Sequence, residues 1–88
     1  MNQKLNDTLK YLGDRYTIKN IDFEDVIYRK ISDLEFEISG LTSKGKYNAT
    51  IYVWNNQTVI KTIQDISSKE NLAEHLKILF QEFQLPVG

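Results

Sequence analysis

Two carboxylates in the middle of the chain have a spacing that acid–base chemistry could use. Glu35 and Glu37 alternate with apolar residues in Leu34-Glu35-Phe36-Glu37-Ile38. On a strand they would point to the same face, roughly 7 Å apart, which would suit a catalytic pair. However, alternating acids on an exposed strand, opposite lysines such as Lys30 and Lys61, are ordinary cross-strand partners. The sequence therefore favours a structural role for both carboxylates.

The other reactive side chains lack the partners that catalysis or metal binding would require. The chain has no cysteine and a single histidine, His75, which excludes disulfides, thiol nucleophiles and metal sites with two nitrogen or sulfur ligands. The loop 40–45 contains glycines and a lysine but does not have the spacing of a phosphate-binding loop. The acids of segment 22–25 lack the glycine and distal glutamate of a calcium loop. We expect a protein that is not an enzyme, with no catalytic residue, no metal and no cofactor.

Tyr52 and Trp54 give the clearest functional signal. They alternate on a predicted strand and share its face with residues of the next strand, and large aromatic side chains on an open sheet face are the usual anchors of protein interfaces. This pattern indicates an inhibitor, immunity or accessory protein that acts through protein–protein contacts. The predicted partner-binding residues are Tyr52, Trp54, Val59, Lys61, Ile63 and Tyr28.

Three alternatives for the aromatic face remain open at this stage. A terminal extension, or the segment 16–23, could fold across it and form a second small core. A homodimer could bury the same face. Aromatic rings with lysines nearby, such as Lys46 and Lys61, are also found in proteins that bind single-stranded nucleic acid. This last function is the second hypothesis.

The elements that would position these residues follow from periodicity. Leucines recur at helical spacing between Lys4 and Gly13, and Gly13 suits a helix C-terminus. Strand patterns cover 34–38, 47–54 and 58–63, and Asn55-Asn56 is the predicted hairpin turn between the last two. Segment 26–31 has signals for both helix and strand, with strand favoured. Ser67 and Glu70 form a capping box that begins a second helix.

Together these elements predict one small α+β domain spanning residues 1–88. Its sheet would be an antiparallel meander of three to four strands, with an N-terminal and a C-terminal helix packed on one face. The opposite face would carry the aromatic residues and is too apolar to serve only for solvation. The fold prediction thus directs attention to a single surface.

Composition limits the partners and the compartment. The 88 residues include 11 basic and 12 acidic side chains, giving a net charge of −1, so neither a duplex-DNA binder nor an acidic mimic is indicated. The first residues are polar where a secretion signal would be apolar, and no run approaches the roughly 18 apolar residues of a membrane span. We expect a cytoplasmic protein with no membrane partner. The excess of lysine over arginine and the abundant isoleucine are a bias that we associate with an AT-rich bacterial or phage genome.

The predicted order of elements resembles two groups of proteins without matching either in a motif. Helix, three strands and helix, with Ser67-Ser68-Lys69 opening the last helix, is similar to the double-stranded RNA-binding domain. That family has a lysine cluster at this position, whereas here a single lysine precedes Glu70. The size and layout are also similar to those of small phage-encoded inhibitors, including some anti-CRISPR proteins. Such similarity carries little functional weight, and the sequence assigns the chain to no family.

Overall fold

A computed structural model describes residues 2–86 of the chain. The elements follow the order α1 (Gln3–Leu12), β1 (Thr17–Ile21), β2 (Glu24–Ile31), β3 (Leu34–Ser39), β4 (Ala49–Asn55), β5 (Thr58–Ile66) and α2 (Lys69–Glu82). All five strands form one antiparallel sheet, ordered β1-β2-β3-β4-β5. The α+β class is confirmed, but the predicted number of three to four strands is wrong.

The additional strand is β1, which lies at one edge of the sheet. Its residues are mostly exposed and include Lys19 and Asn20, so the strand lacks the apolar alternation by which half-buried strands are recognised. It pairs with β2 through a tight turn at Asp22 and Phe23. The segment therefore extends the sheet, and the alternative in which it covers the aromatic face is wrong. Segment 26–31 is a strand, as favoured.

Both helices begin with a side-chain cap. The Asn2 side chain accepts a hydrogen bond from the Leu5 N–H of α1 at 3.0 Å, and the helix ends at Gly13, as predicted, with φ at +104°. In α2 the capping residue is Ser68, whose hydroxyl accepts from the Asn71 N–H at 3.0 Å. The predicted cap at Ser67 is thus one residue too early.

One hydrophobic core joins the two helices to one face of the sheet. The ring of Phe36 on β3 meets that of Phe80 on α2 edge to face, with centroids 5.1 Å apart. Inside α1 the Thr8 hydroxyl shares a hydrogen bond of 2.9 Å with the Tyr47 hydroxyl, so this buried polar group has a partner. The fully buried residues of the core cluster include Ile27, Phe36, Ile38, Leu41, Ala49, Ile51, Val53, Ile66, Leu72 and Leu79.

The β4–β5 hairpin differs in register from the prediction. Its turn lies at Asn56 and Gln57, both with positive φ, one residue later than the predicted Asn55-Asn56. Val59 pairs with Trp54, but the next registered pair joins Lys61 to Val53, so β5 has one extra residue at this point. A bulge of this kind moves the side chains that follow it to the opposite face, here as far as a second register shift between Ile63 and Ile66.

The bulge moves two predicted site residues away from the aromatic face. Lys61 lies opposite Val53, and its Nζ is 3.7 Å from Glu82 Oε2 on α2. Ile63 lies opposite Ile51 and packs against the core. The placement of Lys61 and Ile63 beside Tyr52 was therefore wrong, because a regular two-residue hairpin was assumed.

The only long connection between strands in residues 2–86 is the segment 40–48. Gly40 begins it with φ at +89°, where a Cβ would lie 2.5 Å from the Asn48 carbonyl oxygen. Its N–H donates to Glu24 Oε2 at 2.7 Å, and the Lys4 ammonium of α1 donates to the carbonyl of Ser43 at 2.7 Å. The loop is thus held at both the sheet and the first helix.

Neither helix within residues 2–86 has the length and apolar character needed to cross a membrane.

Candidate functional site

The face of the sheet opposite the helices, called the open face below, contains most of the predicted partner-binding residues. Tyr28 and Tyr52 both pair with Glu37, and Trp54 pairs with Val59. The three aromatic residues are half-buried, and Val59 is exposed. Register therefore brings Tyr28, Tyr52, Trp54 and Val59 to one surface. Within residues 2–86 both helices contribute to the core on the other face.

Glu37 lies at the centre of the open face and holds the Trp54 indole. The Trp54 Nε1–H donates to Glu37 Oε1 at 2.9 Å, a diagonal contact between neighbouring strands. Only 9% of Glu37 is exposed. Burial raises the pKa of the Glu37 carboxyl, the indole hydrogen bond opposes that shift, and the negative charges of Glu24 and Asp22 raise the pKa further.

A groove of about 380 Å³ opens beside this contact. Carboxylates and aromatic rings dominate its polar and apolar surfaces, and within residues 2–86 no lysine or arginine lines it. The lining residues are Ile21, Asp22, Glu24, Glu37, Ser39, Tyr52, Trp54 and Val59. They come from all five strands and the first hairpin turn, so the sheet curves around the groove. The groove therefore has a negative local charge in a chain that is almost neutral overall.

The second predicted carboxylate, Glu35, is held separately. The Tyr28 hydroxyl donates to Glu35 Oε1 at 2.6 Å, and the Lys19 ammonium lies 4.2 Å from the centre of the Tyr28 ring. This hydrogen bond to a carboxylate is the main reason that the pKa of Tyr28 is raised to about 12. Each of the two acids on β3 is thus bonded to an aromatic side chain.

Sequence reasoning missed Phe23 as a candidate for binding. It lies at the tip of the β1–β2 hairpin, fully exposed at 101% of its reference area, with φ at +67°. Asp22 before it also has positive φ, and turns of this kind favour asparagine and glycine. Because phenylalanine is not a usual turn residue, the sequence did not indicate that Phe23 lies at the tip of the turn before β2. The short gap between two strand-forming runs was the signal that could have revealed it.

The lysines proposed for the nucleic-acid hypothesis are not gathered on this face. Lys46 is in the exposed 40–48 loop, and Lys61 faces α2. Lys30 is exposed and pairs with Glu35, so it is the one of these three lysines that lies on the open face. His75 is half-buried on α2. Among residues 2–86 no group of three or more histidine or acidic side chains is arranged to hold a metal ion.

Comparison with family models, curated proteins and solved structures found no match to this chain. The five-stranded sheet also distinguishes this fold from that of a double-stranded RNA-binding domain. The predicted order of helix, three strands and helix had suggested that resemblance.

Proposed function

We propose that this chain is a small protein-binding domain without enzymatic activity, and that its open face is the binding surface. An inhibitor, immunity or accessory protein would act in this way. The observation that carries the proposal is the set of half-exposed aromatic rings of Tyr28, Tyr52 and Trp54 on one concave sheet face. Tyrosine and tryptophan are the residues most enriched among the energetic anchors of protein interfaces.

Two of the three aromatic anchors are already held in place by hydrogen bonds. Trp54 donates to Glu37, and Tyr28 donates to Glu35. A side chain that is ordered before binding loses less conformational entropy when the partner arrives. These two contacts therefore support recognition by a preformed surface.

The hairpin tip adds a third kind of contact. Phe23 buries none of its ring in this domain, so the side chain contributes no packing to the fold. Its left-handed backbone is unfavourable for a residue of this type. An exposed ring in this position is suited to contact a partner. Its neighbour Asp22 lines the groove.

The charge of the groove favours a protein partner over the alternatives. Nucleic acids and anionic membranes would meet the carboxylates of Asp22, Glu24 and Glu37, and like charges repel. A second copy of the chain would bring the same acids against each other, which disfavours a homodimer through this groove. A protein with a basic and partly apolar surface is complementary to it.

Affinity purification with matched variants tests the proposal. The protein would be used as bait in a nuclease-treated lysate of its native host, beside a Tyr52→Ala, Trp54→Ala double variant and a Tyr11→Ala control. Tyr11 is 48% exposed on α1, and its ring lies 5.3 Å from Lys69 Nζ at the start of α2. Each variant would first be shown to fold by circular dichroism.

We expect a protein that binds the wild type and the control but is lost from the double variant. The recovered protein, produced separately, should then bind in calorimetry with the same pattern of variants. Equal recovery by all three baits would contradict the proposal. Recovery of nucleic acid alone, released by high salt from an untreated lysate, would replace it with the nucleic-acid hypothesis.

A further inference from the structure

We propose that the groove of the open face receives an arginine side chain of the partner, with the guanidinium stacked on an aromatic ring and hydrogen-bonded to Glu37. This inference rests on the proposed function and names the chemistry of its partner. Four features of the groove support it: the negative charge, the free oxygen of Glu37, the aromatic lining and the volume.

The groove contains negative charge that the described part of the chain does not neutralise. Asp22, Glu24 and Glu37 all line it, and no basic residue does so. The one salt bridge within residues 2–86, between Lys61 and Glu82, lies on the other side of the sheet. A cation entering the groove would therefore gain attraction to three carboxylates without displacing a resident partner.

One oxygen of the central carboxylate is available to a ligand. Glu37 Oε1 accepts from the Trp54 indole, and within residues 2–86 Oε2 receives no hydrogen bond. No side-chain oxygen or nitrogen in this part of the chain is both sealed from solvent and without a partner. Oε2 is consequently accessible, and Glu37 is a groove residue. A donor in the groove can reach this oxygen while the indole contact stays intact.

The aromatic lining selects for a cation with a flat shape. Tyr52 and Trp54 border the groove beside Glu37, and the faces of such rings attract cations. A guanidinium is planar, is weakly hydrated and carries several donors in a fixed fork. It can stack on a ring and donate to a carboxylate at once, which a lysine ammonium cannot do. The combination of rings and carboxylate thus favours arginine.

The electrostatics of Glu37 agree with this assignment. Burial is the main cause that raises the pKa of Glu37, and the charges of Glu24 and Asp22 raise it further, so the ionised carboxylate is also repelled by its neighbours. A bound cation would relieve this repulsion. The volume of about 380 Å³ is also at the lower end of the range for small-ligand sites and suits a single side chain.

Titration with single amino-acid probes tests the inference directly. Trp54 is the only tryptophan of the chain, so its fluorescence and its indole N–H resonance both report on the groove. The probes are the blocked amino acids N-acetyl-arginine methylamide, its neutral citrulline analogue and its lysine analogue. The protein variants are Glu37→Gln, which keeps an acceptor for the indole, and Glu82→Gln as a control on the other side of the sheet.

We expect a saturable response to the arginine probe in the wild type and in Glu82→Gln, with binding about tenfold weaker in Glu37→Gln. The citrulline probe should give no saturable response. Equal responses to arginine and citrulline, or an unchanged response in Glu37→Gln, would overturn the inference. An equal response to lysine would overturn the assignment to arginine and leave a general cation site.

Failure of this inference is distinguishable from failure of the proposed function. If the partner is lost from the Tyr52→Ala, Trp54→Ala double variant but binds Glu37→Gln as tightly as wild type, the face binds a protein and the arginine site is wrong. If the arginine probe binds but the double variant keeps its partner, the cation site stands and the proposed binding face is wrong.

Discussion

The two faces of β3 show two different uses of one strand. On the helix side Phe36 and Ile38 are fully buried in the core, where their side chains contribute apolar packing. On the open side Glu35 and Glu37 each accept a hydrogen bond from an aromatic residue of a neighbouring strand. Successive residues of one strand thus serve stability on one side and a polar, charged surface on the other.

This difference indicates that residues on the helix face stabilise the fold, whereas residues on the open face form a surface. Burial of apolar area is the main source of folding free energy, so the helix face can account for the stability of the fold. The open face holds half-buried rings and a carboxylate that its neighbours repel, which are features that add little stability. The division can be tested by substitutions on each face, beginning with the largest expected effect.

Replacement of Phe36 should give the largest loss of stability. Its side chain is fully buried and contacts Phe80 across the core, so Phe36→Ala would leave a cavity. We expect the free energy of unfolding to fall by about 3–5 kcal/mol, measured by urea denaturation. A loss below that of the Trp54 variant would contradict the contrast between the faces.

Replacement of Trp54 should be much less damaging to the fold. The indole is only half-buried on the open face, and its main specific contact is the hydrogen bond to Glu37. We expect Trp54→Ala to cost about 1–2 kcal/mol in the same urea experiment. A loss as large as that of Phe36→Ala would show that the open face is a second core and would remove the basis of the binding proposal.

Removal of the Glu37 charge should stabilise the protein. Burial and the charges of Glu24 and Asp22 raise the pKa of Glu37 in the folded state, so the ionised form opposes folding. At neutral pH we expect Glu37→Gln to raise the free energy of unfolding by up to about 1 kcal/mol. Calorimetric melting of both proteins across a pH series measures the difference.

The sign of the pH dependence follows from linkage. The folded state of the wild type holds the Glu37 proton to a higher pH than the unfolded chain does, so this group's contribution to stability falls as pH rises through the folded-state pKa. The advantage of Glu37→Gln should therefore disappear as the solution is acidified below the normal glutamate pKa. An advantage that persists unchanged in acid would show that the carboxylate charge is not its cause.

Replacement of Phe23 should have the smallest effect on stability. The ring makes no buried contact, and glycine suits a φ of +67°. The greater freedom of glycine in the unfolded chain offsets part of the gain. We expect Phe23→Gly to leave the free energy of unfolding unchanged or to raise it by less than about 1 kcal/mol. Once the partner is identified, weaker binding by this fold-neutral variant would place the ring in the interface, and equal binding would exclude it.

The spacing of apolar residues predicted the helices and strands that bury one regular apolar face. Leucine spacing located both helices, and the alternation around Phe36 located β3. The edge strand β1 was missed because its residues are mostly exposed. Its sequence therefore lacks the alternation of apolar and polar residues that marks a half-buried strand. A strand of this kind is defined by its pairing with β2, which a single sequence does not display.

The arrangement of the open face was predicted only in part, because it too depends on strand pairing that a single sequence does not display. Tyr52 and Trp54 were placed together because residues two apart on a strand share a face. Lys61 and Ile63 were misplaced because the register of β5 depends on a bulge that the sequence does not mark. The contact between Trp54 and Glu37 was also beyond prediction, since it depends on the pairing of β3 with β4.

The meander order of the sheet has a consequence for how fast the protein folds. Each strand pairs with the strand next to it in the chain, and tight turns at Asp22, Ser32 and Asn56 join all pairs except β3 and β4. Short loops lose little entropy on closure, and folds with local pairing cross their transition states quickly. We therefore expect hairpins to form early, with closure of segment 40–48 as the slowest local step in assembling the sheet.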